Sequence, residues 1–176
     1  MLSLLCEQLV RSGRTVSVIG RDMRKLERLV ERANGQGQLI PVAVDYRDAS
    51  ALGSSLHRMA NDSGPPVRTI CWVHDEIAPG AVLQISNYVR GTFWHVLGSS
   101  AGDPTRPEIL ASWRERFGTN SKALDYRQII LGFVPQAGEC RWLTNVEISH
   151  GVERAIKGDE PLTIVGTVAP WSEKPQ

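Results

Sequence analysis

Residues 15–22 read Thr15-Val16-Ser17-Val18-Ile19-Gly20-Arg21-Asp22, and this stretch decides the fold. Four of its first five residues are β-branched, the composition of a short strand, and Gly20-Arg21-Asp22 closes it with a turn. Upstream, Leu2, Leu5, Cys6, Leu9 and Val10 fall at helical spacing and make one apolar stripe, which Ser12-Gly13 stops. Downstream, a second helix opens at Asp22 and turns Met23, Leu26, Leu29 and Val30 inward until Asn34-Gly35 ends it. The unit so far is helix, strand, helix.

The alternation continues. Leu39 to Val44 reads as a strand ending in Asp45, and a helix follows with Ala49, Leu52, Leu56 and Met59 on its buried face, broken by Gly64-Pro65-Pro66. Thr69 to His74 is a near-continuous apolar run of the kind buried on both faces of a parallel sheet, followed by a short helix over Ala81 to Val89. Phe93 to Leu97 is a strand ending in Gly98-Ser99-Ser100. A helix over Pro107 to Phe117 presents Ile109, Leu110, Trp113 and Phe117 to one side, and after a polar loop Ile129 to Val134 reads as another strand. Thr144 and Glu147 have capping-box spacing at the start of a helix carrying Ile148, Val152 and Ile156, and Leu162 to Val165 is the last strand. The pattern predicts an α/β, doubly wound, mostly parallel sheet.

A chain of 176 residues with 41% hydrophobic content suits one domain, here residues 1–170 with a tail over 171–176 that is expected to fray. Twenty Lys and Arg against nineteen Asp and Glu, interspersed, argue against a nucleic-acid or membrane-surface partner. Cys6, Cys71 and Cys140 are far apart and lack metal-ligand spacing, so they read as reduced thiols of a cytoplasmic protein with no metal site. Glu7 and Arg11 interrupt the apolar N-terminus, which argues against a leader or spanning segment.

The order of landmarks resembles the short-chain dehydrogenase/reductase family, in particular its small atypical bacterial members. Gly20-Arg21-Asp22 stands where the family places the residue that meets the adenosine ribose, and Asp45 where it has an acidic residue near the adenine. His74-Asp75 stands at its turn beside the cofactor. Gly98-Ser99-Ser100 follows the strand that carries its catalytic serine, and Tyr126 falls where its tyrosine would be sought. Tyr126–Val134, Arg141–Ile156 and Val165–Trp171 also resemble the C-terminal part of the small members.

The resemblance implies a Rossmann-like domain that binds NADP or NAD, with NADP favoured. It also implies a small carbonyl or alcohol substrate, and a homodimer. On that reading Gly20, Arg21, Asp45 and His74 bind the cofactor, and Ser99, Ser100 and Tyr126 are the catalytic candidates. Arg21, His74, the two serines and Tyr126 have plainer alternatives. Arg21 is also an ordinary solvated arginine at a helix start, and His74 a boundary residue. The serines also suit the satisfaction of backbone groups at a strand end, and Tyr126 suits packing under the next strand. His95, inside a strand, and the five tryptophans read as core or interface residues.

Two features depart from the family. Its domain opens with a strand and a glycine-rich turn that grips the pyrophosphate at a helix N-terminus, whereas Met1 here directly precedes the first helix. The absent strand would lie centrally, between Thr15–Ile19 and Thr69–His74, so an N-terminally truncated chain is the expectation: its loss would cost on the order of 10 kcal/mol, comparable with a domain's whole stability. The family also pairs its tyrosine with a lysine four residues on, and here that position is Ile130. This departure leaves a non-catalytic dinucleotide sensor or partner-binding protein as the rival reading.

Overall fold

A computed structural model describes residues 1–103, 105–120, 124–136 and 139–175. The chain divides into two compact units, Met1–Pro66 with Val73–Tyr88, and Val67–Trp72 with Val89–Gln176.

The first unit contains α1 (Ser3–Arg11), β1 (Thr15–Gly20), α2 (Met23–Arg32), β2 (Gln38–Ala43), α3 (Ala49–Ser63) and α4 (Ala81–Ser86). Strand β1 pairs in parallel with β2, from Thr15 opposite Gln38 to Gly20 opposite Ala43, and α2 makes the crossover. Val10, Leu29 and Leu39 form a buried cluster, with Cys6, Val16, Val18 and Ala33 packed on it. One change of detail concerns α2, where Leu26 and Leu29 are buried but Met23 and Val30 are exposed: the apolar stripe is narrower than its sequence suggests. Likewise on α3 only Leu52 and Leu56 of the expected face are buried. Asp22 and Asp48 cap α2 and α3, accepting from the backbone N–H of Lys25 at 3.2 Å and Ala51 at 2.9 Å.

The second unit contains β3 (Arg68–Cys71), β4 (Gly91–Leu97), α5 (Glu108–Asn120), β5 (Leu124–Leu131), β6 (Phe133–Gln136), β7 (Glu139–Trp142), α6 (Asn145–Gly158) and β8 (Leu162–Val165). Strands β3, β4, β5 and β8 form a parallel sheet in that order. Helix α5 covers one face through Trp113 and Phe117, and α6 lies so close to β8 that a side chain at Gly151 would collide with Val165. The capping box forms as expected: Thr144 accepts from the Glu147 N–H, and the Glu147 carboxylate accepts from the Thr144 N–H.

Three expectations change. Strand β3 ends at Cys71, three residues short of His74, and Cys71 is its one buried residue, because β3 is laddered on β4 alone. Strand β5 starts at Leu124, inside the stretch taken for a polar loop, part of which (residues 121–123) lies outside the described residues. The apolar run to Val134 divides at Gly132 into β5 and β6, and β6 makes an antiparallel hairpin with β7. The tail contains a 3₁₀ turn at Trp171–Glu173, with Gln176 outside the described residues. Among the described residues β1 is laddered on β2 alone and β3 on β4 alone.

Candidate functional site

In open α/β sheets ligands gather beyond the carboxyl ends of the strands. In the first unit those ends deliver Gly20 and Arg21 after β1, and Asp45 to Arg47 after β2. Parallel register sets Gly20 level with Ala43, and the Gly20 carbonyl accepts from the Val44 N–H at 2.9 Å, so the two turns leave the sheet side by side. A side chain at Gly20 would meet only Leu26, at ordinary contact distance, so internal packing does not demand glycine there.

Arg21 and Asp45, named separately from the sequence, come together: Arg21 Nη1 lies 4.0 Å from Asp45 Oδ2. The sequence reading missed the third member. Arg47 donates from Nε to both oxygens of Asp45 at 3.0 Å and from Nη2 to Oδ2 at 2.6 Å, while its backbone N–H donates to Oδ1 at 3.0 Å. The side-chain and backbone bonds from Arg47, with help from the Arg21 charge, hold the Asp45 carboxyl down at about 2. The arginine side chains stay solvated, 59% exposed at Arg21 and 51% at Arg47. The result is two forked cations around one carboxylate, a set of donors suited to a phosphate or carboxylate.

His74 is exposed, in the turn that precedes α4, where its carbonyl accepts from the Ile77 and Ala78 N–H groups at 3.0 Å and Asp75 Oδ1 accepts from the Gly80 N–H at 3.3 Å. It therefore stands on a loop in place of the expected strand end.

In the second unit Ser99 and Ser100 begin a 3₁₀ turn directly after β4, Ser99 half-buried and Ser100 exposed. The turn is pinned close to β5, since a side chain at Gly102 would strike Val168 and Ile130. Tyr126 does not join the serines. It sits opposite Phe93 near the start of β4, and four residues of strand, about 13 Å, separate that level from Leu97. Ile130, level with Leu97, is buried.

The Tyr126 ring stacks on Phe117 with centroids 3.9 Å apart. Its hydroxyl lies 2.9 Å from Nδ1 of the fully buried His95 and accepts from Gln128 Nε2 at 3.4 Å. Gln128 also donates to the Leu110 carbonyl and accepts from Arg114 Nε, both at 3.0 Å. The hydroxyl and Nδ1 share one hydrogen bond whose direction follows the His95 tautomer, and Nε2 has no partner among the described residues. Burial pushes the Tyr126 phenol well above its ordinary range, and burial together with the Arg116 charge pushes the His95 imidazole down to about 3. Both stay neutral, so the catalytic expectation for Tyr126 gives way to the packing alternative. His95 is a core residue, as are Trp94 and Trp113, whereas Trp142 is exposed. The three cysteines are free, with burial raising the Cys71 thiol to about 12 and the Cys6 thiol to about 11.

No family model and no curated protein matches the sequence. Among solved structures, the chain is similar to a bulky-bulky ketone specific alcohol dehydrogenase from Comamonas testosteroni, at TM-score 0.71 and 14% identity over 95% of this chain and 83% of that one. It is similar to an alcohol dehydrogenase from the archaeon Thermococcus sibiricus complexed with 5-hydroxy-NADP, at TM-score 0.68 and 11% identity over 93% and 89% of the two chains. A betaketoacyl-ACP reductase from Bacteroides thetaiotaomicron gives 0.66 and 14% over 94% and 89%. The fold is the Rossmann-type fold of the short-chain dehydrogenases/reductases, as the order of landmarks implies. Among the described residues no helix is long and apolar enough to cross a membrane.

Proposed function

We propose that this chain, on the fold of the short-chain dehydrogenases/reductases, binds a nicotinamide dinucleotide, with NADP preferred over NAD. The observation that carries the reading is the Arg21–Asp45–Arg47 cluster at the carboxyl ends of β1 and β2. Two guanidinium groups there fit a phosphate on the adenosine ribose, and Gly20 leaves the adjoining backbone open to close approach. His74 lines the cofactor side, and α1, whose first residues receive no side-chain cap from Leu2, offers its N-terminus to the pyrophosphate. When bound, the cofactor supplies the hydride chemistry, and Ser99 or Ser100 orients the oxygen of a small carbonyl or alcohol.

A second reading is favoured by Tyr126. With its phenol in a neutral interior network and Ile130 in place of a lysine, the family's acid is missing, and a dinucleotide sensor without turnover fits these residues better than a reductase does. Titrating the protein with NADPH and NADH, followed by a carbonyl-substrate screen with bound NADPH, separates the possibilities. NADPH binding with oxidation of the cofactor supports the enzyme, and binding without turnover supports the sensor. Preference for NADH defeats the NADP assignment, and no binding of either defeats the whole reading.

A further inference from the structure

We infer that Asn34, in the turn between α2 and β2, is a site of spontaneous deamidation, and that the isoaspartate it yields loosens the first unit. The inference is independent of the dinucleotide reading. Of the five asparagines, at 34, 61, 87, 120 and 145, only Asn34 precedes a glycine. The attacking atom is the backbone nitrogen of the following residue, and at Gly35 no Cβ crowds its approach. Both reacting groups are also available. They lie between the end of α2 at Arg32 and the start of β2 at Gln38, and both residues are exposed. Neither the Asn34 side-chain amide nor the Gly35 N–H has a hydrogen-bond partner among the described residues. Asn61, by contrast, lies inside α3, where the next residue's N–H belongs to the helical ladder, and Asn145 opens α6 with the β-branched Val146 behind it.

The Gly35 nitrogen loses its proton to solvent and bonds to Asn34 Cγ, while the Cγ–Nδ2 bond breaks and the amide nitrogen takes a proton and leaves as ammonia. Water then opens the resulting cyclic imide. Cleavage between the Gly35 nitrogen and Cγ gives aspartate. Cleavage between that nitrogen and the Asn34 main-chain carbonyl gives isoaspartate, whose chain runs through Cβ and Cγ and is one backbone atom longer. The turn has no slack for that atom. A side chain at Gly35 would come 2.7 Å from Arg11 Cα and one at Gly37 would strike the Arg14 carbonyl, so the turn lies directly on the end of α1. The Gly37 N–H donates to the Val10 carbonyl at 2.9 Å and the Gln38 N–H to the Arg14 carbonyl at 3.2 Å. These bonds begin the β1–β2 ladder, where Thr15 stands opposite Gln38, and Val10 and Leu39 beside them belong to the buried cluster. A longer backbone before Gly35 draws Gly37 and Gln38 off their acceptors, whereas ordinary aspartate adds only a charge to an exposed side chain.

The test is incubation of the full chain at neutral pH, folded and in urea, for wild type, Asn34→Asp and Asn34→Ser, followed by tryptic peptide mapping and thermal melting. The peptide of residues 33–47 should gain the mass difference between an amide and a carboxyl, placed at residue 34 by fragmentation, and resolve into aspartate and isoaspartate forms against synthetic standards. In the folded chain Asn34 should convert as fast as in urea, while Asn61 and Asn145 convert more slowly folded than unfolded. The deamidated fraction, collected by anion exchange, should contain a component melting about 5 °C below Asn34→Asp, the shift expected for two lost backbone hydrogen bonds. Asn34→Asp itself should melt with fresh wild type. Asn34→Ser cannot form the imide and should keep its melting temperature throughout. Strong protection of Asn34 by folding overturns the site. A deamidated fraction that melts uniformly with Asn34→Asp overturns the loosening, and an equal decline in Asn34→Ser places the loss of stability elsewhere and overturns it too.

Discussion

Arg21, Asp45 and Arg47 gather full charges at exposed strand ends, whereas His95, Tyr126 and Gln128 bury neutral polar groups between the sheet of the second unit and α5. Both clusters join residues from separate elements through hydrogen bonds or charge contacts. They differ in what solvent allows. The exposed charges keep their solvation and spare donors, so a ligand can replace water at little cost. The buried groups have left water, so every bond among them offsets a desolvation penalty, and none is available to a substrate. The first arrangement is suited to recognition and the second to architecture, although the second contains the very histidine and tyrosine that a motif search would select.

The largest expected effect falls on the buried cluster. Gln128→Ala removes a side chain that serves Arg114, the Leu110 carbonyl and Tyr126 at once. The carbonyl loses its side-chain donor, Arg114 Nε loses its acceptor and a cavity remains, so unfolding in urea should show a loss of about 3 kcal/mol. A change under about 0.5 kcal/mol would break the comparison by showing that the network is not structural.

The next effect is in pH. His95 is held near 3 against an ordinary 6.5 by burial and the Arg116 charge. A folded-state value below the unfolded one means that unfolding takes up a proton, so the neutral imidazole's contribution is complete above 6.5 and is lost progressively as pH falls toward 3. Between pH 6.5 and 5 this amounts to about 1.5 kcal/mol. Asp45 has its own window lower, from 3.8 to about 2, where a depressed carboxylate loses its contribution as pH falls. Denaturation midpoints across pH 5 to 6.5 therefore isolate the histidine, and His95→Leu should flatten that slope. A slope unchanged in the variant would place its source elsewhere.

How far these clusters can be read from the sequence follows the same physics. The local pattern located β1, β2, β4 and β8 as short β-branched or apolar runs and the long helices by their spaced apolar stripe. It failed at the start of β5, where Asp125, Tyr126, Arg127 and Gln128 look like a loop: Gln128 is buried only because α5 supplies partners 14 and 18 residues away. It also overextended β3, since an apolar run does not reveal which edges will be laddered. In the site, Arg21 and Asp45 were legible from their places after strands. Arg47 was not, because its meaning lies in a side-chain fork to a residue two positions back. Asp45-Tyr46-Arg47-Asp48 directly before a helix was the available signal. The His95–Tyr126 contact joins residues 31 apart and depends on the β4–β5 register, which no local pattern encodes.

Tyr126→Phe sharpens the comparison at the level of one hydroxyl. It leaves His95 Nδ1 without its partner and should cost about 1 kcal/mol, with the aromatic stack on Phe117 retained. If the protein turns over a carbonyl substrate, the rate should be unchanged. A fall of a hundredfold or more, of the size expected for loss of a general acid, would return Tyr126 to the catalytic set and overturn the structural assignment.

The smallest effect on stability belongs to the exposed cluster. Arg47 and Arg21 are more than half exposed, and ion pairs in that setting are screened by water and salt. Arg47→Met should leave the urea midpoint at neutral pH where it was, and adding salt should change wild type and variant alike. The contrast with Gln128→Ala is the point of the measurement. Both substitutions remove a residue that bonds to a side chain on or beside a strand end or strand, yet only one should unfold the protein earlier. A marked destabilisation by Arg47→Met would mean that the Asp45 fork holds the β2–α3 turn together. In that case the two cations would be a structural brace, and their suitability for an anion would be a by-product of it.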